Sequence, residues 1–126
     1  MSDLVLMCGN DPDLSSVRTL VLSKIARVRN LPALEGIRSV CENDKIQLAV
    51  LCHTLSDFEK ETAVDIIRSR CKDASILILN TAYNPRDSSE SYQVFDIDKG
   101  PEALLEKCKA LIADSRCRAS QHIVSS

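Results

Sequence analysis

A three-layer α/β sandwich, with one parallel sheet in the order 2-1-3-4-5 and helices on both faces, is the fold this sequence predicts. Two observations predict it. Strand-like and helix-like segments alternate from end to end of the 126 residues. The strand-like segments are near-continuous apolar runs, which suit strands buried on both faces by crossover helices. Five such units in this length fit one doubly wound domain.

The elements follow in order. Leu4 to Cys8 is a short apolar run and the first strand. Asn10-Asp11-Pro12-Asp13 starts a helix, with Asp11 able to cap and Pro12 suited to the first turn. Leu14, Val17, Val21, Ile25 and Val28 recur at helical spacing and predict its buried stripe. A weak second strand lies around Ala26 to Leu31. Pro32 opens a second helix with Leu34, Ile37, Val40 and Cys41 on its inner side. Ile46 to Cys52 is the clearest strand, and Ser56-Asp57-Phe58-Glu59 then forms a capping box. The helix beyond it buries Ala63, Ile66, Ile67 and Cys71.

Ile76 to Leu79 is the fourth strand. The stretch from Tyr83 to Tyr92 contains Asn-Pro and a Ser/Asp/Glu cluster and predicts a loop, so the fourth helix is shortened or absent. Val94 to Ile97 is the fifth strand. Gly100-Pro101-Glu102 starts the last helix, with Leu104, Leu105, Cys108, Leu111 and Ile112 inward. The expected domain covers residues 1–114, and residues 115–126, poor in apolar side chains, are expected to form a flexible tail.

Composition bounds the function. Hydrophobic residues at 44% and charged residues at 27% are ordinary globular values. A net charge of -2 offers no clustered cationic footprint for nucleic acid, and aromatics at 3% offer no base-stacking platform. The longest apolar runs are too short to cross a bilayer, and Met1-Ser2-Asp3 does not open a signal peptide. The expectation is a cytoplasmic protein that binds neither membrane nor nucleic acid. The six cysteines show no C-x-x-C pair and no zinc spacing, and most fall at apolar positions as reduced core residues do.

In a sheet of this order, ligands sit beyond the carboxyl ends of strands 1 and 3. There the chain resembles the receiver domains of bacterial response regulators, which have a flavodoxin-like fold. The resemblance spans roughly residues 3–113. It rests on the Leu4–Leu14 segment, on Leu48-Ala-Val-Leu-Cys-His-Thr-Leu-Ser56, on Ile76-Leu-Ile-Leu-Asn-Thr-Ala82 and on Gly100-Pro-Glu-Ala-Leu-Leu105. Receivers of this kind carry an acidic pair after strand 1 that holds Mg²⁺, and a phosphoaccepting aspartate at the end of strand 3. They also carry a Ser/Thr after strand 4 and a lysine near strand 5.

The resemblance implies a degenerate phosphorylation pocket. The acidic pair falls on Gly9 and Asn10, and the phosphoacceptor on Cys52, a thiol that forms no acyl phosphate and is a poor Mg²⁺ ligand. The switch Ser/Thr is kept as Thr81. The lysine position falls on Ile97, with Lys99 close enough for a small gap to restore it. Asp11 and Asp13 are helix-start acids favoured by the helix dipole. His53 and Cys52 are adjacent in a strand, point to opposite faces and do not converge on one metal ion.

Three functions follow for testing. The first is a non-phosphorylatable receiver-like module that signals by protein contact, with no enzymatic activity, cofactor or metal. Its partner is a signalling protein, and a weak homodimer is a second association the resemblance implies. The second is a receiver phosphorylated through an unconventional residue. The third is a redox-responsive module using Cys8 and Cys52, which end neighbouring strands.

Overall fold

In the computed structural model, all five residues of β1 (Leu4–Cys8) are buried and their side chains divide by parity. Leu4, Leu6 and Cys8 join one apolar cluster, while Val5 and Met7 join another on the opposite face. This is the period-two alternation of a strand covered on both sides, and it explains the unbroken apolar run. β3 (Leu48–Leu51) repeats it: Leu48 and Val50 lie with Val5 and Met7, and Ala49 and Leu51 lie with Leu4 and Leu6. The structure describes residues 4–9, 12–31, 35–43, 45–71, 73–80, 92–96 and 99–125.

With β2 (Arg27–Leu31), β4 (Ser75–Asn80) and β5 (Gln93–Asp96) these strands form one parallel sheet in the order β2-β1-β3-β4-β5, as expected. β2 is an edge strand, and its exposed Arg27 and Arg29 blunt the edge against further pairing. Its polar composition is why it reads weakly in the sequence. Among the described residues there are four helices: α1 (Pro12–Leu22), α2 (Ile37–Asn43), α3 (Asp57–Arg70) and α4 (Pro101–Ser125). The cluster with Leu4 and Leu6 takes in Ile37, Val40 and Cys41 of α2 and Ala63, Val64 and Ile67 of α3. The cluster with Val5 and Met7 takes in Leu22 of α1 and Leu104, Cys108, Leu111 and Ile112 of α4. The expected loop from residue 83 lies, but for Tyr92, outside the described residues, as do the residues 32–34 expected to open α2.

The α3 capping box forms as predicted. The Glu59 amide donates to Ser56 Oγ at 3.1 Å, and the Ser56 amide donates to Glu59 Oε1 at 2.9 Å. On α3 the buried set is Ala63, Val64 and Ile67, with Ile66 and Cys71 only partly covered.

One expectation is corrected. The inner face of α1 is not the predicted stripe: Val17 is 59% exposed, whereas Arg18 is 8% exposed. The helix is rotated by one residue, so that Arg18 and Leu22, a turn apart, face inward, and Val28 belongs to β2. Apolar spacing misjudged the rotation because Val17 and Leu20 imitate a stripe on the solvent side. The last helix also runs further than the apolar stripe suggested. α4 runs on through residue 115 to Ser125, and Ser115, 2% exposed, donates from Oγ to the Asp73 carbonyl at 2.7 Å. A small polar side chain is compatible with a buried helix face when its hydroxyl finds a backbone acceptor, and hydropathy alone does not register this.

Candidate functional site

The carboxyl ends of β1 and β3 are tied by backbone bonds. The Cys52 amide donates to the Cys8 carbonyl at 2.9 Å, and the Gly9 amide donates to the Leu31 carbonyl of β2 at 3.1 Å. The switch point therefore places Gly9 and Cys52 on adjoining strand ends, as the resemblance implies. Both are buried. Asn10 and Thr81 lie outside the described residues. Lys99 is exposed in the turn before α4, where Gly100 takes φ +94°, a conformation natural to glycine, and starts the helix by accepting from the Leu104 amide.

Cys52 is not displayed to solvent. It is 1% exposed, lies in the cluster with Val5 and Met7, and its thiol donates to Met7 Sδ at 3.6 Å. Cys8 belongs to the opposite face. The parity of two neighbouring strands thus assigns the two cysteines to different apolar clusters. Burial, with smaller contributions from Cys52 and Glu59, pushes the Cys8 thiol up to about 12, which makes it inert as a nucleophile near neutral pH.

The residue that sequence reasoning missed is Arg18. Its guanidinium is buried, with Nη2 3.4 Å from His53 Nδ1, one residue beyond Cys52. Among the described residues, the buried side-chain polar atoms without a hydrogen-bond partner are Arg18 Nη1 and Thr54 Oγ1, on either side of His53 in space and sequence respectively. The available signal was a charge at the spacing of Leu14, Leu22 and Ile25 in an otherwise apolar phase of α1.

Among the described residues, the buried Arg18 contributes a positive charge beside His53. A guanidinium stays cationic under all ordinary conditions, and a thiol and a thioether are soft donors ill matched to Mg²⁺. No group of three or more His, Cys, Asp or Glu suited to a metal ion occurs among the described residues. Nor is any helix among them long and apolar enough to cross a membrane.

No protein-family model matches the chain, and no curated protein matches it in sequence. Solved structures do. A CheY-like response regulator receiver domain of Methanospirillum hungatei superposes with a TM-score of 0.75 at 16% identity, over 94% of this chain and 99% of the other. A chemotaxis protein of Vibrio cholerae superposes with a TM-score of 0.76 at 14% identity, over 88% and 99%. The chain has the fold of a response-regulator receiver. The receiver fold also relates it to a structure described as adenylate cyclase from Rhodopirellula baltica, with a TM-score of 0.85 at 11% identity over 98% and 97% of the two chains. At such identities the likeness is one of architecture.

Proposed function

We propose that this receiver-fold domain serves in signal transduction by protein–protein contact and takes no phosphoryl group at its switch point. The observation that carries the reading is the burial of Cys52 just after β3, the position to which the resemblance assigns the phosphoacceptor. Cys52 is packed against Met7, one residue before the partly buried His53 that pairs with Arg18. Phosphoryl transfer to a carboxylate depends on an accessible oxygen nucleophile and a metal that gathers the phosphoryl charge. Here the acceptor position offers a covered sulfur, Gly9 offers no side chain, and a buried arginine lies beside the residue that follows.

With a net charge of -2 the domain suits a protein partner better than a nucleic acid, and a weak homodimer is a second mode of association. The cytoplasm is the compartment that fits six cysteines with no disulfide or zinc spacing. Incubation with acetyl phosphate and Mg²⁺, followed by intact-mass measurement, is the test. No added phosphoryl group is expected. A stoichiometric adduct labile to hydroxylamine would overturn the reading in favour of an unconventional phosphoacceptor.

A second reading takes up the cyclase likeness, which extends over 98% of the chain and therefore takes in most of α4. In it the domain is the regulatory part of a cyclic-nucleotide signalling system, itself without catalytic activity. The purified domain is expected to form no cyclic AMP from ATP. Formation of cyclic AMP would make the domain an enzyme and reject both versions.

A further inference from the structure

At the amino end of the sheet, away from the switch point, a cleft of about 350 Å³ is lined by Cys41, Glu42, Asn43, Lys45, Ile46, Arg70, Cys71, Asp73 and Ala74. Cys41 comes from the last turn of α2, and Cys71 is the residue that caps the carboxyl end of α3. The Cys71 thiol donates to the Cys41 carbonyl at 3.6 Å, and both residues line the cleft. We propose that Cys41 and Cys71 are a peroxide-reactive dithiol that closes to an intramolecular disulfide and joins the ends of α2 and α3. This inference is independent of the receiver reading and concerns a different part of the molecule.

The two sulfurs are inequivalent in a way that assigns their roles. Cys71 is partly exposed to the cleft, whereas Cys41 is buried. The hydrogen bond from Cys41 holds the Cys71 thiol below the ordinary thiol range, and the Ile46 backbone adds to this against an opposing effect of burial. The same bond, followed by burial, pushes Cys41 up. Among the described residues, the charged groups lining the cleft are Glu42, Lys45, Arg70 and Asp73, and Arg70 Nη1 lies 3.7 Å from Glu42 Oε1. Cys71 is therefore the nucleophile and Cys41 the resolving thiol.

The chemistry balances with a hydroperoxide as oxidant. The Cys71 thiolate attacks one peroxide oxygen, the O–O bond breaks, and the departing hydroxide takes a proton and leaves as water. Cys71 is then a sulfenic acid. Cys41 sulfur attacks Cys71 sulfur, the S–S bond forms, the S–O bond breaks, and the Cys41 proton leaves with the hydroxyl as a second water. Two thiols have lost two electrons and hydrogen peroxide has gained them. The Cys71 backbone, at φ -126° and ψ 73°, has left the helix while its amide still donates to the Ile67 carbonyl at 2.7 Å. The other cysteines offer no comparable pair: Cys8 and Cys52 face different layers, Cys108 is packed in the apolar cluster under α4, and Cys117 is exposed on α4.

The test treats the reduced protein with one equivalent of hydrogen peroxide and then with N-ethylmaleimide under denaturing conditions. Before alkylation the expected product is lighter than the reduced protein by about 2 Da and regains that mass with dithiothreitol, and after alkylation it carries two fewer maleimide groups than the reduced protein. Peptide mapping should give a Cys41–Cys71 cross-linked peptide. In Cys41→Ser the reaction should stop at a Cys71 sulfenic acid captured by dimedone, and in Cys71→Ser residue 41 should stay unmodified. A disulfide mapping elsewhere overturns the proposal, as does oxidation confined to Cys117 with residues 41 and 71 still free. Because the mapping is done on the parent protein, the outcome does not depend on whether either variant folds.

Discussion

Arg18 Nη2 lies 3.4 Å from His53 Nδ1, which joins the middle of α1 to the residue just beyond the covered Cys52. The guanidinium can only donate, so the bond requires Nδ1 to be the unprotonated nitrogen of the ring. Nη1, buried without a partner, opposes this gain by the cost of its desolvation. The stem of the side chain packs where α1 needs an apolar residue beside Leu22. Arg18→Met keeps the packing and discards the unsatisfied group, so it is expected to remain within about 1 kcal/mol of the parent or to gain stability. Arg18→Ala leaves a void and should lose about 2 kcal/mol. Urea unfolding of both variants decides the matter. A loss for Arg18→Met as large as that for Arg18→Ala would show that the guanidinium, not its stem, holds α1 in place.

Putting a carboxylate back at residue 52 should not restore a receiver. The side chain there lies against Met7 in an apolar cluster. Cys52→Asp therefore buries a charge and should cost about 3 kcal/mol near neutral pH. Such a carboxyl has its folded pKa raised. The neutral form is favoured in the folded state, so stability is regained as pH falls below the unfolded pKa and lost as pH rises through the folded one. Thermal unfolding with and without Mg²⁺ should show a lowered midpoint in both. A midpoint restored by Mg²⁺, or raised without it by pairing with Arg18, would mean that residue 52 points into the switch point.

Alkaline pH should weaken the fold through the buried thiols. Burial pushes both Cys8 and Cys108 from 9.0 up to about 12. Between those values the unfolded chain releases protons that the folded chain keeps, so stability is fully present below about pH 9 and falls as pH rises toward 12. The slope is about 1.4 kcal/mol per pH unit for each thiol. Cys108→Ala should lower stability near neutral pH through lost packing and also flatten the decline above about pH 9. An unaltered alkaline slope in that variant would mean that Cys108 ionises as freely in the folded state as in the unfolded one.

The capping box offers a local test of helix energetics. Ser56→Ala removes the acceptor for the Glu59 amide and should cost about 1 kcal/mol. Glu59→Gln keeps an oxygen for the Ser56 amide and should cost less than half as much. Equal losses from the two would show that charge at the α3 amino end matters more than the reciprocal bonds.

The sheet was legible because its physics is local. A strand covered on both faces must be largely apolar; β1 and β3 are so throughout, and β4 is from Ile76 to Leu79. The capping box was legible for the same reason, since its partners are close in the chain. What was not legible depended on which way a side chain turns. Val17 and Arg18 exchange roles through a rotation of α1 that hydrophobic spacing does not fix. Cys8 and Cys52 look adjacent by strand order, yet strand parity sends them to opposite layers. Cys41 and Cys71 gave no signal, because their meeting depends on where α2 and α3 end relative to each other.

The far end of α4 is the clearest case of a polar segment held by structure. Ser75 Oγ donates to the Leu111 carbonyl at 2.8 Å, and Ser115 Oγ donates to the Asp73 carbonyl at 2.7 Å. The two hydroxyls join the helix to the start of β4 from opposite sides, and both serines are buried. Ser115→Ala should cost about 1 kcal/mol. Ser75→Ala combined with Ser115→Ala should cost less than the sum of the two, because both bonds fix the same helix position. Amide exchange of the parent should be slow from Leu111 through Cys117, and the double variant should speed exchange there while leaving Leu48 to Leu51 protected. Fast exchange in the parent from Ser115 onward would reinstate a domain ending near residue 114 with a loose tail, and would leave the buried Ser115 hydroxyl without its anchoring role.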